Sequence, residues 1–154
     1  MSSRPWMSFW WHCLAGSSAC LLLAGLAGCD SGPQRFSVSG VVQYNGEEVP
    51  AGHLIFTPDG RKGNQGPQGV AMVQKGEIVQ NENRRLVGGP HWVNIMAFDG
   101  VPFNDGEMII NDGKPLLPEQ VVQVDLPMAD AELTIDLMEE AKGEYAVNIA
   151  VAED

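Results

Sequence analysis

Residues 36–58 read FSVSGVVQYNGEEVPAGHLIFTP, and the alternation within them decides the fold. Phe36, Val38, Gly40, Val42 and Tyr44 fall on alternate positions, with mostly smaller or polar residues between them. That is the two-residue period of a strand with one buried face. Asn45-Gly46 comes next, and this pair accepts the positive φ angles of a tight hairpin turn. His53–Thr57 makes a second short strand, closed by Pro58-Asp59-Gly60. Gly40 suits a bulge or a close approach of two backbones, and Pro50 and Pro58 sit where no ladder donor is needed.

The same grammar continues downstream. Residues 60–69 (GRKGNQGPQG) form an open loop of turn formers, and Lys75-Gly76 joins strands at Val70–Gln74 and Glu77–Gln80. Asn81–Arg85 is polar, and Gly88-Gly89-Pro90 turns the chain into a strand at His91–Phe98. Asp-Gly recurs at 99–100, 105–106 and 112–113, around a short apolar strand near Met108–Ile110. Val121–Leu126 follows. Leu133, Ile135 and Leu137, then Tyr145, Val147, Ile149 and Val151, alternate with polar or small residues. Only Met138–Lys142 offers even one helical turn. Short strands with turn signals every 8–12 residues predict an all-β, antiparallel sandwich of about 7–9 strands.

Several residues of the opening stretch also carry a family resemblance. Val38-Ser39-Gly40-Val41-Val42, Asn45-Gly46, Val49-Pro50, Gly52 and Leu54-Ile55-Phe56-Thr57-Pro58 resemble the pattern that opens carboxypeptidase regulatory-like domains of bacterial surface lipoproteins. Gly89-Pro90-His91-Trp92-Val93-Asn94-Ile95 is similar to that family's G-x-Y-x-V-x-I strand, and Leu116-Leu117-Pro118-Glu119 to its late L-L-P-E turn. The resemblance runs from about residue 36 to 120. It departs at Pro90-His91-Trp92, where a tyrosine is usual, and at the polar Asn81–Arg85 insert. It implies an Ig-like, transthyretin- or prealbumin-like sandwich, and its motif specifies a fold without any catalytic set.

The first thirty residues differ in kind. From Met1 to Gly28 the only charged residue is Arg4, and an apolar, small-residue run fills Cys13 to Gly28. A basic start, an apolar stretch and small residues before a cleavage point define a secretory signal. The run ends in Leu26-Ala27-Gly28-Cys29, which resembles a bacterial lipobox. That resemblance implies cleavage before Cys29, diacylglycerol on its sulfur and acylation of the new amino terminus. Asp30 resembles the inner-membrane retention signal of the enteric sorting rule. The expected organisation is a helical lipoprotein signal peptide at 1–28, the lipidated Cys29 with a short tether to residue 35, and one domain at 36–154. An ordinary signal peptide cut nearby, or an uncleaved anchor across 9–29 (near the ~20 residues that span a bilayer), are the alternatives.

Composition narrows the function. The 154 residues carry 20 acids against 9 bases, a formal charge of −11, which argues against nucleic acid because phosphates are neutralised by Lys and Arg. Losing Arg4 with the leader takes the charge to −12, a soluble, self-repelling surface. Cys13 and Cys20 leave with the leader and Cys29 is modified, so no disulfide is expected although the compartment permits one. Nucleophilic hydrolysis fails on inventory: beyond the leader the serines are Ser31, Ser37 and Ser39, and no G-x-S-x-G occurs. His53 and His91 read as solvated rim residues rather than a zinc pair, which would need further ligands. Asp99, Asp105, Glu107 and Asp112 are weak calcium candidates, because their spacing misses the calcium-loop pattern and Asp-Gly is common turn chemistry.

Trp92, Asn94, Met96 and Phe98 share one face of their strand. The plainer expectation places Trp92 in the core. The sharper one exposes Trp92, Asn94 and Phe98 as a face for a glycan or a peptide. The sequence thus predicts a non-enzymatic, cofactor-free, palmitate-bearing envelope lipoprotein, facing the periplasm or the cell exterior. Its expected partners are the membrane, through the anchor, and an envelope protein or glycan; a ligand-binding module for carbohydrate, peptide or calcium is the alternative.

Overall fold

The computed structural model describes residues 32–153, so the signal segment and Cys29 lie outside the described residues. Eleven strands follow in order: β1 Val38–Tyr44, β2 Glu47–Glu48, β3 Ala51–Pro58, β4 Gly69–Gln74, β5 Glu77–Gln80, β6 Gly89–Phe98, β7 Phe103–Asn104, β8 Ile109–Ile110, β9 Gln120–Leu126, β10 Ala131–Glu139 and β11 Tyr145–Glu153. Two single 3₁₀ turns, Gly60–Lys62 and Glu82–Arg84, are the only helical pieces among the described residues. The chain is all-β, as the alternation predicts. Met138–Lys142 is not a helical turn: Met138 and Glu139 complete β10, and Lys142-Gly143, both at positive φ, turn the chain into β11.

The turn residues do what their chemistry dictates. Asn45 (φ 52°) and Gly46 (φ 83°) form the primed turn between β1 and β2, and Lys75 (φ 53°) and Gly76 (φ 80°) form its twin between β4 and β5. Asp59 caps the first 3₁₀ turn, accepting from the Arg61 amide, and Asn81 caps the second, accepting from Asn83.

The main sheet runs β11-β10-β1-β5-β4-β3-β6-β9. Every pair along it is antiparallel except β1 and β10, which run parallel from Val38↔Ala131 to Tyr44↔Leu137. The expectation of a wholly antiparallel arrangement is corrected here: the sheet is mixed. The cause is the short link 127–130, which carries the chain from the end of β9 to the start of β10 beside the start of β1. Ser37 N donates to Asp130 Oδ1 (2.7 Å) and Ala131 N to Ser37 O (3.0 Å), fixing that meeting point. Leaving it, β10 has to run in the direction of β1.

The sheet curls until its end strands approach: Asp125–Pro127 and Val151–Glu153 line one cleft between the ends of β9 and β11. The inward phases of the strands make one core, including Val42, Leu54, Phe56, Val93, Ile95, Leu133, Ile135 and Leu137, each at 1 % exposure or less. Gly40 (φ 125°) lies where β1 passes Leu133; a Cβ there would stand 1.9 Å from the Leu133 carbonyl oxygen. It makes the close approach expected of it.

Candidate interaction face

Strands β5, β4, β3, β6 and β9 turn their second phase outward, and the register sets three central rows of those side chains between an outer row that includes Glu77 and Gln74 and another that includes Asp125. Val79, Met72, His53 and Met96 form the first, Val70, Ile55, Asn94 and Val121 the second, and Thr57, Trp92 and Gln123 the third. None of the eleven is Asp, Glu, Lys or Arg. Trp92 is 39 % exposed, Met72 43 %, Val79 46 % and Val121 54 %. Trp92 is therefore not a core residue: its neighbours Val93, Ile95 and Ala97 take the inward phase of β6 and fill the core. With apolar residues on both phases of β4 and β6, one face makes the core and the other meets solvent.

The face is held in place from its margins. Gln68 Nε2 donates to Thr57 Oγ1 (2.7 Å) and Gln123 Nε2 to the buried Asp59 carboxylate (2.7 Å). Asn94 Nδ2 donates to Glu119, the residue before β9. His53 Nε2 donates to Asp112 Oδ2 at 3.0 Å and meets Phe98 edge-on, ring centroids 5.8 Å apart. Asn94 and Phe98 are half-buried, so of the three residues expected to form a ligand face only Trp92 is openly exposed. At the β4–β5 side Val70, Met72, Val79, Gln80, Asn81 and Arg84 line a hollow of about 550 Å³.

His91 departs from its expected rim position. It is 0 % exposed on the inward phase of β6, its Nδ1 donates to Gly89 O (2.8 Å), and its Nε2 meets no partner. Burial pushes its pKa below 6.5, against smaller opposing effects of the Gly89 hydrogen bond and the Asp125 charge. His53 lies on the outward phase and His91 on the inward one, so the sheet separates them and they share no ion.

The four acidic candidates are spent separately. Asp99 Oδ1 accepts from the amides of Val101 and Lys114, both at 2.9 Å, and these bonds hold its pKa below the ordinary carboxylate value. Asp105 does the same with the Met108 and Glu107 amides, with the same consequence. Asp112 answers His53, and the Glu107 backbone serves Asp105. Among the described residues no three His, Cys, Asp or Glu side chains come together as a metal-binding group.

The sequence reading singled out Trp92, Asn94 and Phe98 but missed Met72, Val79, Val70, Ile55 and Val121, which complete the surface. The signal was available: Val70, Met72 and Val79 are apolar on the phase opposite Ala71, Val73 and Ile78. A short strand that is apolar on both phases has a second surface to account for. Compared with protein-family models, curated proteins and solved structures, the chain matches none of them. Fold and surface together define an all-β domain with one largely apolar sheet face, bordered by the carboxylates of Glu77, Asp112, Glu119 and Asp125.

Proposed function

We propose that this chain is a non-enzymatic, lipid-anchored protein of the bacterial cell envelope whose outward sheet face binds another protein. The observation that carries the reading is the three-row face that includes the exposed Trp92. Monomeric proteins rarely leave a contiguous apolar patch larger than a few hundred Å² open to water, and such patches mark association sites. This one lies on a chain whose formal charge is −11, yet its three central rows carry no charged residue and the carboxylates stand at its border. Trp is also the residue type most enriched where binding energy concentrates.

The anchor half of the proposal rests on Leu26-Ala27-Gly28-Cys29 after its apolar run. The finer fold, a carboxypeptidase regulatory-like domain of the prealbumin-like sandwich type, rests on the motif residues from Val38 to Pro58, on Gly89–Ile95 and on Leu116–Glu119. Gly40, Asn45-Gly46 and Pro58 occupy the close approach, the primed turn and the strand end that such a motif asks of them. A ligand-binding module is the second reading, favoured by the exposed Trp92 ring, on which a sugar or a peptide side chain could stack.

Two experiments test the proposal. Fatty-acid labelling of the wild-type chain should vanish in Cys29→Ser, and a labelled variant refutes the anchor. Full-length protein should retain an envelope protein that Trp92→Ala releases; equal retention by both removes the face from the mechanism. Retention of glycans instead of protein, lost in the same variant, moves the conclusion to the second reading.

A further inference from the structure

We propose that the partner segment bound by this face is a basic amphipathic helix, laid obliquely across the sheet from Val79 to Trp92, with its Lys and Arg side chains toward Asp112 and Glu119. The inference rests on the interaction reading of the face and adds the chemistry and placement of the partner.

The register draws a continuous apolar band through the three rows. Val79 on β5 pairs with Met72 on β4 in the first row, Val70 on β4 with Ile55 on β3 in the second, and Trp92 on β6 stands in the third. Three strand steps of about 4.8 Å and two row steps of roughly 6.8 Å make the band about 20 Å long, the length of ~13 helical residues. His53, Met96, Asn94 and Val121 flank it on one side and Thr57 on the other.

The backbone selects a helix. Strands β5, β4, β3 and β6 are hydrogen-bonded on both edges, so the band offers side chains only. A single segment lying on it has to satisfy its own backbone groups, which a helix does internally. Apolar side chains at i, i+3, i+4 and i+7 then give it a stripe to set along the band.

Charge selects a basic one. Glu77, opposite Gln74, stands one row beyond Val79, and Asp125 on β9, opposite Pro90, stands one row beyond Trp92. Along the His53 flank, Asp112 accepts from His53 Nε2 and Glu119 from Asn94 Nδ2. Among the described residues the only close acid–base pair is His53 with Asp112, so Glu77, Glu119 and Asp125 are paired with no Lys or Arg of their own chain. The opposite flank differs: Arg84, past the end of β5, lines the hollow beside Val70, Met72 and Val79. Bases are therefore favoured along one side of the helix and at its ends, and disfavoured along the other, which fixes its orientation. On a chain of formal charge −11 the same carboxylates steer a cationic partner from a distance. A second copy of the chain, or anionic headgroups, would set like charges against them.

The test uses intrinsic fluorescence. Trp6, Trp10 and Trp11 leave with the leader, so Trp92 is the one tryptophan of the lipidated chain and reports on the face directly. That chain, in non-ionic detergent, is titrated with three Trp-free peptides: an apolar helical stripe flanked by Lys, the same stripe flanked by Glu, and the Lys peptide scrambled to abolish its stripe. The Lys-flanked helix should shift Trp92 emission to the blue and bind at least tenfold tighter than the other two. Its affinity should fall at least tenfold between about 50 and 500 mM salt. Glu77→Gln, Glu119→Gln and Asp125→Asn together should weaken it at least tenfold, with melting within a few degrees of wild type because all three side chains are exposed. Trp92→Ala, followed through a fluorophore on the peptide, should lose it.

A Glu-flanked or scrambled peptide that binds as tightly as the Lys-flanked one, or a triple variant that binds as wild type does, overturns the proposal. If Trp92→Ala still releases those peptides, the partner's chemistry is wrong and the interaction face stands. Failure of wild type to bind any peptide also overturns it. An envelope protein captured by wild type and released by Trp92→Ala would then keep the face, and without such capture both fall.

Discussion

Gly40 and His91 are the two positions at which one atom decides the local structure. Gly40 has φ 125°, a region closed to side chains, and lies against the Leu133 backbone. Gly40→Ala adds conformational strain and a backbone clash at the parallel β1–β10 seam. The expected loss is about 3 kcal/mol or more, read as a shift of the urea midpoint; an unchanged midpoint would mean the seam rearranges freely. His91 acts through protonation. Its folded-state pKa lies below 6.5, so below about pH 6.5 the unfolded chain binds the proton more readily than the folded one. Its contribution is whole above that pH and declines as pH falls toward the depressed folded value. Urea unfolding between pH 7.5 and 5 should show stability dropping with acid, and His91→Leu should flatten that slope. An equal slope in both proteins assigns the effect elsewhere.

Among the elements, the connection 99–114 is the one built on carboxylates. Its neck is closed by Asp99 N to Lys114 O and Gly100 N to Asp112 O, both 2.9 Å, with the Asp99 carboxylate gathering two further amides. Asp105 organises the β7–β8 turn in the same way. Because both folded-state pKa values are lowered, this support is complete at neutral pH and is lost as pH falls below the ordinary carboxylate range near 4. Asp99→Ala should accelerate hydrogen exchange at Val101 and Lys114 at pH 7, and in wild type the protection factors of those amides should fall as pH drops through the lowered Asp99 value. Protection unchanged in Asp99→Ala would show that the backbone bonds alone hold the neck. The strands were legible because alternation and turn residues are local: Asn45-Gly46, Lys75-Gly76 and residues 131–151 announce themselves. The burial of His91 and the exposure of Trp92 were not. A strand's period separates its two faces but does not say which is inward, and β6 reads apolar on both. The parallel β1–β10 pair was equally invisible, since alternation carries no direction and the link that sets it is only 127–130.

The whole molecule depends on joining its two ends. β1, near the start of the described chain, pairs with β10, and β10 is covered on its other edge by β11 over its full length, from Ala131↔Glu153 to Glu139↔Tyr145. Contacts this distant in sequence form late and make folding slow and cooperative. β11 contributes Tyr145, Val147, Ile149 and Val151, partly buried against the core, and its end meets the end of β9 where the sheet nearly closes. At roughly 1 kcal/mol or more for each partly buried side chain, with a nine-residue ladder besides, the strand's share is comparable to the ~5–15 kcal/mol margin of a typical domain. Removing residues 144–154 should therefore abolish the single urea transition instead of lowering its midpoint, and the bared edge of β10 should drive association. Sedimentation and circular dichroism would read both effects. A truncated chain that stays monomeric and still unfolds in one sharp step would mean that β1, β3, β6 and β10 hold the core without closure of the sheet.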